Sequence, residues 1–160
     1  MELFLIRHAI ALPRSPALPD TERPLTTHGR QRFTQIVHGL QVLGVHVDCV
    51  HHSPWLRAVE TAELLQPLLS GEMLVTPTLA CTPGKKLLGT IQGGHTALVG
   101  HEPWMSDLLA WLTTGVKATG PMFLFKKGGV AWLEGRLQPG HMSLRAFLPP
   151  KVLVALAQDV

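Results

Sequence analysis

The chain has 160 residues, a size at which roughly 70% of the unfolded surface can be buried and one compact domain, residues 1–160, is expected. A charged share of 16% beside a hydrophobic share of 46% excludes intrinsic disorder, which needs low hydrophobicity and high charge. The formal charge of +3 suits an anionic ligand, but no basic run exceeds the pairs Lys85-Lys86 and Lys126-Lys127, so a nucleic-acid partner is not expected.

No stretch approaches the roughly 18 apolar residues of a membrane helix, and Met1 to Ala11 has neither the basic start nor the long apolar stretch of a signal peptide. No membrane association and a cytoplasmic location are therefore the expectation. Cys49 and Cys81 form no CxxC pair, and both are expected to be reduced and mostly buried.

In chain order, Glu2-Leu-Phe-Leu-Ile6 is an apolar run that ends at Arg7-His8, the pattern of a buried strand delivering two polar residues to a sheet edge. Pro13, Pro16, Pro19 and Pro24 hold the next segment as a loop. Thr26 or Thr27 then caps a helix whose Phe33, Ile36, Val37, Leu40 and Leu43 recur at helical spacing until Gly44. Residues 45–52 are a second strand. Ser53-Pro54 predicts a cap and a first helical residue, with the helix ending near Gln66 and Arg57 in its first turn.

Residues 73–75 are a short strand candidate, and the breakers at 82–86 predict a loop. Residues 95–100 form another buried strand. Pro103 opens a helix with Trp104, Leu108, Trp111 and Leu112 on one face, ending near Gly115. Residues 122–125, 130–133 and 143–147 complete the reading as antiparallel strands. Strands alternating with helices, then a strand-rich tail, predict an α/β sandwich with a mostly parallel sheet.

Arg7-His8, Arg57 and His101 share one placement, each just beyond a strand, where ligands gather in open α/β sheets. Two guanidinium forks and two imidazoles make an oxyanion pocket suited to a phosphoryl group, and an imidazole can attack phosphorus. Taken singly, an Arg-His pair at a strand end is more often a solvated boundary.

Competing motifs fail. Gly84-Lys85 is followed by Lys86 and lacks the earlier glycine of a P-loop. His101-Glu102-Pro103-Trp104-Met105 begins like a zincin helix, but Met105 replaces the second ligand and Pro103 interrupts it. The other histidines show no metal spacing, so neither metal nor cofactor is expected. Lys85 and Lys86 could guide an acidic partner, although a solvated turn is the commoner role for such a pair.

Four segments in order, Leu5-Ile6-Arg7-His8-Ala9-Ile10-Ala11, Arg23-Pro24-Leu25-Thr26 with Gly29, Ser53-Pro54-Trp55-Leu56-Arg57-Ala58 with Thr61-Ala62, and Leu98-Val99-Gly100-His101-Glu102-Pro103, resemble the histidine phosphatase superfamily and its small SixA-like phosphohistidine phosphatase branch. Gly120-Pro121-Met122-Phe123 resembles that branch's late turn into a strand. The resemblance implies a three-layer α/β/α sandwich with a mostly parallel sheet. It implies that His8 is the nucleophile that becomes phosphorylated, that Arg7, Arg57 and His101 bind the phosphoryl oxygens, and that Thr26 and Gly29 are structural.

Glu102 stands where phosphatase relatives place a proton donor, and also at a helix N-terminus, where the dipole favours a carboxylate. Larger relatives insert helical segments that close over the pocket, whereas residues 76–95 here leave little room for a lid. The implied activity is metal-independent removal of phosphate from a phosphohistidine-containing protein by a monomer. The alternatives are a phosphatase of small phosphate esters and a non-catalytic phosphohistidine- or phosphopeptide-binding module.

Overall fold

The computed structural model describes residues 1–158. Six strands form one sheet: β1 (Glu2–Arg7), β2 (Val47–His52), β3 (Leu69–Val75), β4 (His95–Gly100), β5 (Val130–Gly135) and β6 (Met142–Leu148). Their spatial order is β3-β2-β4-β1-β5-β6. The first four run parallel, and β5 and β6 add antiparallel beside β1. The expected α/β fold with a mostly parallel sheet is borne out.

Why the interior of β1, Leu3 to Ile6, is apolar follows from its position. Phe4 and Ile6 point into one core, Leu3 and Leu5 into the other, so both faces of the strand are covered and no alternation remains to be read. The first core is closed by α1 (Thr27–Val42), α2 (Leu56–Glu63) and α5 (Pro150–Leu156), the second by α3 (Lys85–Thr90) and α4 (Trp104–Thr114). Phe33 on α1 is fully buried, and its truncation to Ala would cost about 3–5 kcal/mol.

The caps of α1 and α4 match the sequence. Thr26 Oγ1 accepts from the Gly29 amide at 2.8 Å, and a Cβ at position 29 would lie 2.1 Å from the Ile10 carbonyl oxygen. Gly29 therefore lets the start of α1 press on the loop that follows His8. Helix α4 ends at Gly115 in the left-handed conformation. Its most buried face is Met105, Leu108, Leu109 and Leu112; Trp104 and Trp111 flank it and are half-buried.

Five expectations are corrected. Helix α2 begins at Leu56, because Ser53 Oγ is engaged by the Trp55 amide and by His101 and Trp55 is still extended. It ends at Glu63, and a 3-10 turn at Gln66–Leu68 leads through Pro67, which has no amide to continue the helix. The segment at 82–86 is a loop only to Gly84, whose carbonyl accepts from Leu87 and Leu88 to open α3. Residues 122–125 join no strand ladder; a 3-10 helix at Lys117–Met122 packs Gly120 against Asp107 of α4 instead. The tail after β6 is helical, since Pro149-Pro150 opens α5 and Leu153 anchors it in the core. Both cysteines are free, but Cys49 is half-buried and Cys81 exposed. Among the described residues no helix is long and apolar enough to cross a membrane.

Candidate active site

The sheet register assembles the site. Arg7 pairs with Gly100 across β1 and β4, and the His8 amide donates to the Gly100 carbonyl at 3.0 Å, so His8 and His101 leave adjacent strands side by side. The Ser53 amide donates to the Val99 carbonyl and brings the start of α2 to the same edge. The two imidazole centroids are 5.2 Å apart.

The His8 ring is oriented by its own backbone. Nδ1 lies 2.7 Å from the Ala9 carbonyl oxygen; a carbonyl can only accept, so Nδ1 carries the proton and Nε2 presents a lone pair. Burial, first of all, pushes the His8 pKa down to about 2, so the ring is neutral at ordinary pH. The Ala9 amide donates to Thr61 Oγ1 at 3.0 Å, and that hydroxyl donates to the Arg57 carbonyl at 2.6 Å. Thr61 thereby ties the His8 loop to α2.

Arg57 is almost fully buried, at 2% exposure. Its Nε donates to His8 Nε2 at 3.2 Å, Nη1 to the Asp20 carbonyl at 2.6 Å and Nη2 to Asp20 Oδ2 at 3.3 Å. The guanidinium carbon lies 4.6 Å from the Trp55 ring centroid, a cation–π contact that supports the plane of the fork. Asp20 also accepts from Arg23 Nε at 2.7 Å and Arg14 Nε at 3.1 Å. Desolvation pushes the Asp20 carboxyl up, but the Arg23 hydrogen bond and the charges of Arg57 and Arg23 hold it below the ordinary range.

Arg7 Nη1 donates to the Phe125 carbonyl at 2.7 Å, while its buried Nε has no partner. His101 Nε2 is 2.7 Å from Ser53 Oγ. The Trp55 amide donates to the same oxygen at 3.2 Å, and His101 Nδ1 is the ring nitrogen left without a protein partner. Burial, then the charge of Arg57, lowers the His101 pKa to about 3. Glu102 accepts from Ser106 Oγ at 2.8 Å, and burial pushes its carboxyl up.

All five residues expected at the site line one cavity of about 400 Å³: Arg7, His8, Arg57, His101 and Glu102. Arg14, Arg23 and Lys127 share its wall. A profile of the histidine phosphatase superfamily (branch 1) matches residues 3–80. An uncharacterized protein of the cyanobacterium Picosynechococcus sp. is 46% identical over 145 residues, covering 84% of this chain and 85% of that protein. The chain belongs to the histidine phosphatase superfamily. This membership assigns it phosphatase chemistry.

Two solved structures share this fold. The protein histidine phosphatase SixA, complexed with tungstate, superposes with a TM-score of 0.82 at 24% identity, covering 96% of this chain and 99% of that one. The phosphoserine phosphatase of Entamoeba histolytica, in complex with 3-phosphoglyceric acid, gives 0.72 at 16% identity, with 95% and 98% covered. The fold is SixA-like.

Four contributors escaped the sequence reading: Asp20, Ser53 as a partner of His101, Thr61 as the tie between loops, and Lys127. The readable signal for Asp20 was its i,i+3 spacing to Arg23 within the proline loop; for Lys127 it was the Gly128-Gly129 turn that follows. Lys85 and Lys86 do not line this cavity; Lys86 faces a separate one with His51 and Thr76. His51 and His52 are buried and hydrogen-bonded, through Thr76 Oγ1 at 2.8 Å and the Ser53 carbonyl at 2.9 Å.

Proposed function

We propose that the chain is a metal-independent phosphohistidine phosphatase working through a phosphorylated His8. The observation that carries this reading is the His8 ring itself. Its proton is held by the Ala9 carbonyl and its Nε2 lone pair faces a cavity lined by guanidinium groups.

In the first step His8 Nε2 attacks phosphorus, an N–P bond forms, and the bond to the leaving imidazole breaks as that imidazole takes a proton from Glu102 or solvent. In the second step water attacks phosphorus, the bond to His8 breaks, and inorganic phosphate leaves with the neutral ring restored. The developing charge on the oxygens falls among Arg7, Arg57 and His101. Arg7 Nε, buried and unpartnered, is a donor such an anion would satisfy, as is His101 Nδ1 in the tautomer that carries its proton there.

This cationic field does the work that Mg²⁺ does in other phosphoryl-transfer sites, and the arginines would repel a divalent cation from the two imidazoles. A protein substrate is supported by how little chain stands over the pocket: between β3 and β4 there is only a short 3-10 turn and the six-residue α3. Imidazole, with a conjugate-acid pKa near roughly 6.5, leaves far more easily than an alkoxide.

Hydrolysis of small phosphate esters is the second reading. It is favoured by the upward shift of the buried Glu102 carboxyl, since a protonated acid could deliver the proton an alkoxide needs. The test of the leading reading is to incubate the protein with a histidine-phosphorylated phosphotransfer protein, with and without chelator, and quench without acid. Wild type should release phosphate in both and carry label; His8→Ala should carry none. Labelling of that variant, or loss of activity restored by a divalent ion, overturns it.

A further inference from the structure

Beside the catalytic cavity lies a second and larger one, about 810 Å³, and the two share Arg7 and Lys127 on their walls. It runs between the loop before β5, α1 and the start of α5. Arg32, Lys126, Lys127 and Lys151 border it, and no Asp or Glu does. Among the described residues none of these four cations forms an ion pair. Desolvation, and the charges of Arg7, Arg23 and Arg57, push the Lys127 ammonium down, a sign of how concentrated the positive field is at the junction.

Leu124, Pro149 and Pro150 also line it, and Leu124 is 75% exposed, so apolar surface lies open among the cations. The loop is not free to retract. The Gly128 amide donates to the carbonyls of Arg7 and His8 at 3.0 and 3.2 Å, the Gly129 amide closes the turn onto the Lys126 carbonyl at 2.8 Å, and Arg7 Nη1 holds the Phe125 carbonyl. Gly128 has φ +77°, a conformation L residues rarely adopt. The groove is thus built onto the strand end that carries Arg7 and His8.

Resting on the reading of the chain as a phosphohistidine phosphatase, we propose that this groove docks the substrate protein. Its occupant is an acidic segment, bearing an exposed apolar side chain, that flanks the phosphorylated histidine. Carboxylates pair with Arg32, Lys126 and Lys151 at the rim, the apolar side chain covers Leu124 and the prolines, and the phosphoryl group then enters past Lys127. Charge complementarity of this kind guides encounter and register.

The experiment compares wild type, a Lys126→Glu/Lys151→Glu double variant and Leu124→Ser on two phosphoryl donors: an acidic histidine-phosphorylated phosphotransfer domain and phosphoramidate. Docking predicts a fall of roughly tenfold or more in kcat/KM on the protein for the double variant, carried by KM, a smaller fall for Leu124→Ser, and phosphoramidate rates within about twofold of wild type. Unchanged protein kinetics overturn the proposal, and if binding to anionic vesicles is lost at the same time the groove belongs to a membrane surface. Equal losses on both donors also overturn it, because they show damage to the catalytic cavity. A wild-type protein that turns over small esters but no phosphohistidine protein overturns the functional reading instead, and is recognised before any variant is made.

Discussion

Arg57 Nε donates its hydrogen to the one lone pair that His8 has free, across 3.2 Å. The same guanidinium spends Nη1 and Nη2 on Asp20, so the arginine is held in plane beside Nε2. A phosphoryl oxygen arriving at the fork would draw the Nε hydrogen away and expose the nitrogen for attack.

Arg57→Lys keeps the charge but removes the planar fork and the Nε hydrogen. Steady-state kinetics on a phosphohistidine protein should show kcat/KM reduced by about 10²–10³, comparable to the loss of one oxyanion donor. A variant within a factor of three of wild type would show that charge alone suffices.

Asp20 positions three arginines at once. Asp20→Ala should leave the fold intact, because the carboxylate is one-third exposed, and should raise KM more than it lowers kcat as Arg57 and Arg23 lose their shared anchor. Asp20→Asn, which keeps an acceptor, should recover part of the loss. Unchanged KM in both variants would remove Asp20 from the positioning of the site.

Glu102 separates the two substrate classes. Glu102→Gln should retain most of its activity on a phosphohistidine protein and lose about 10²-fold or more on an alkyl phosphate ester, in line with the loss of a general acid. Equal losses on both would make the carboxyl a part of phosphoryl binding. A wild-type enzyme faster on alkyl esters than on phosphohistidine would promote the small-ester reading.

Stability should fall with acid in a defined window. His8 and His101 have ordinary pKa values near roughly 6.5 when unfolded and about 2 and about 3 when folded, both lowered chiefly by burial. Below pH 6.5 the unfolded chain therefore binds protons that the native state refuses, so stability is full above that pH and declines as pH drops toward the folded values. Urea unfolding between pH 6.5 and 5 should show this slope, and His8→Asn should flatten it by about one proton's share. A slope unchanged by the substitution would mean that the imidazole charges inside the native protein.

The parts legible in the sequence were those where one physical cause acts alone. The runs of β1 and β4 are apolar because both faces are covered, Thr26 caps because its hydroxyl meets the Gly29 amide, and Arg7, His8, Arg57, His101 and Glu102 arrive together because parallel strands end at one edge. What escaped depended on partners distant in the chain. Ser53 carried a strong capping signal, yet its hydroxyl is engaged by His101, 48 residues away. Asp20 lay in a proline loop that offered no period to read. Helices α3 and α5 span six and seven residues, too short to show an apolar stripe, and residues 122–125 looked like a strand because Phe123 and Phe125 pack into the core under α4 while Leu124 lines a groove, without a ladder.

Strand β1, which ends at Arg7 just before His8, sits between β4 and β5, whose partners to it are residues 95–100 and 130–134. Until both of these distant segments are in place, β1 is apolar on both faces and incompletely paired. Folding dominated by such distant pairings is slow compared with helical proteins, and the waiting strand is an aggregation hazard until it is enclosed. The geometry that brings His8 beside His101 thus depends on pairings between segments far apart in the chain.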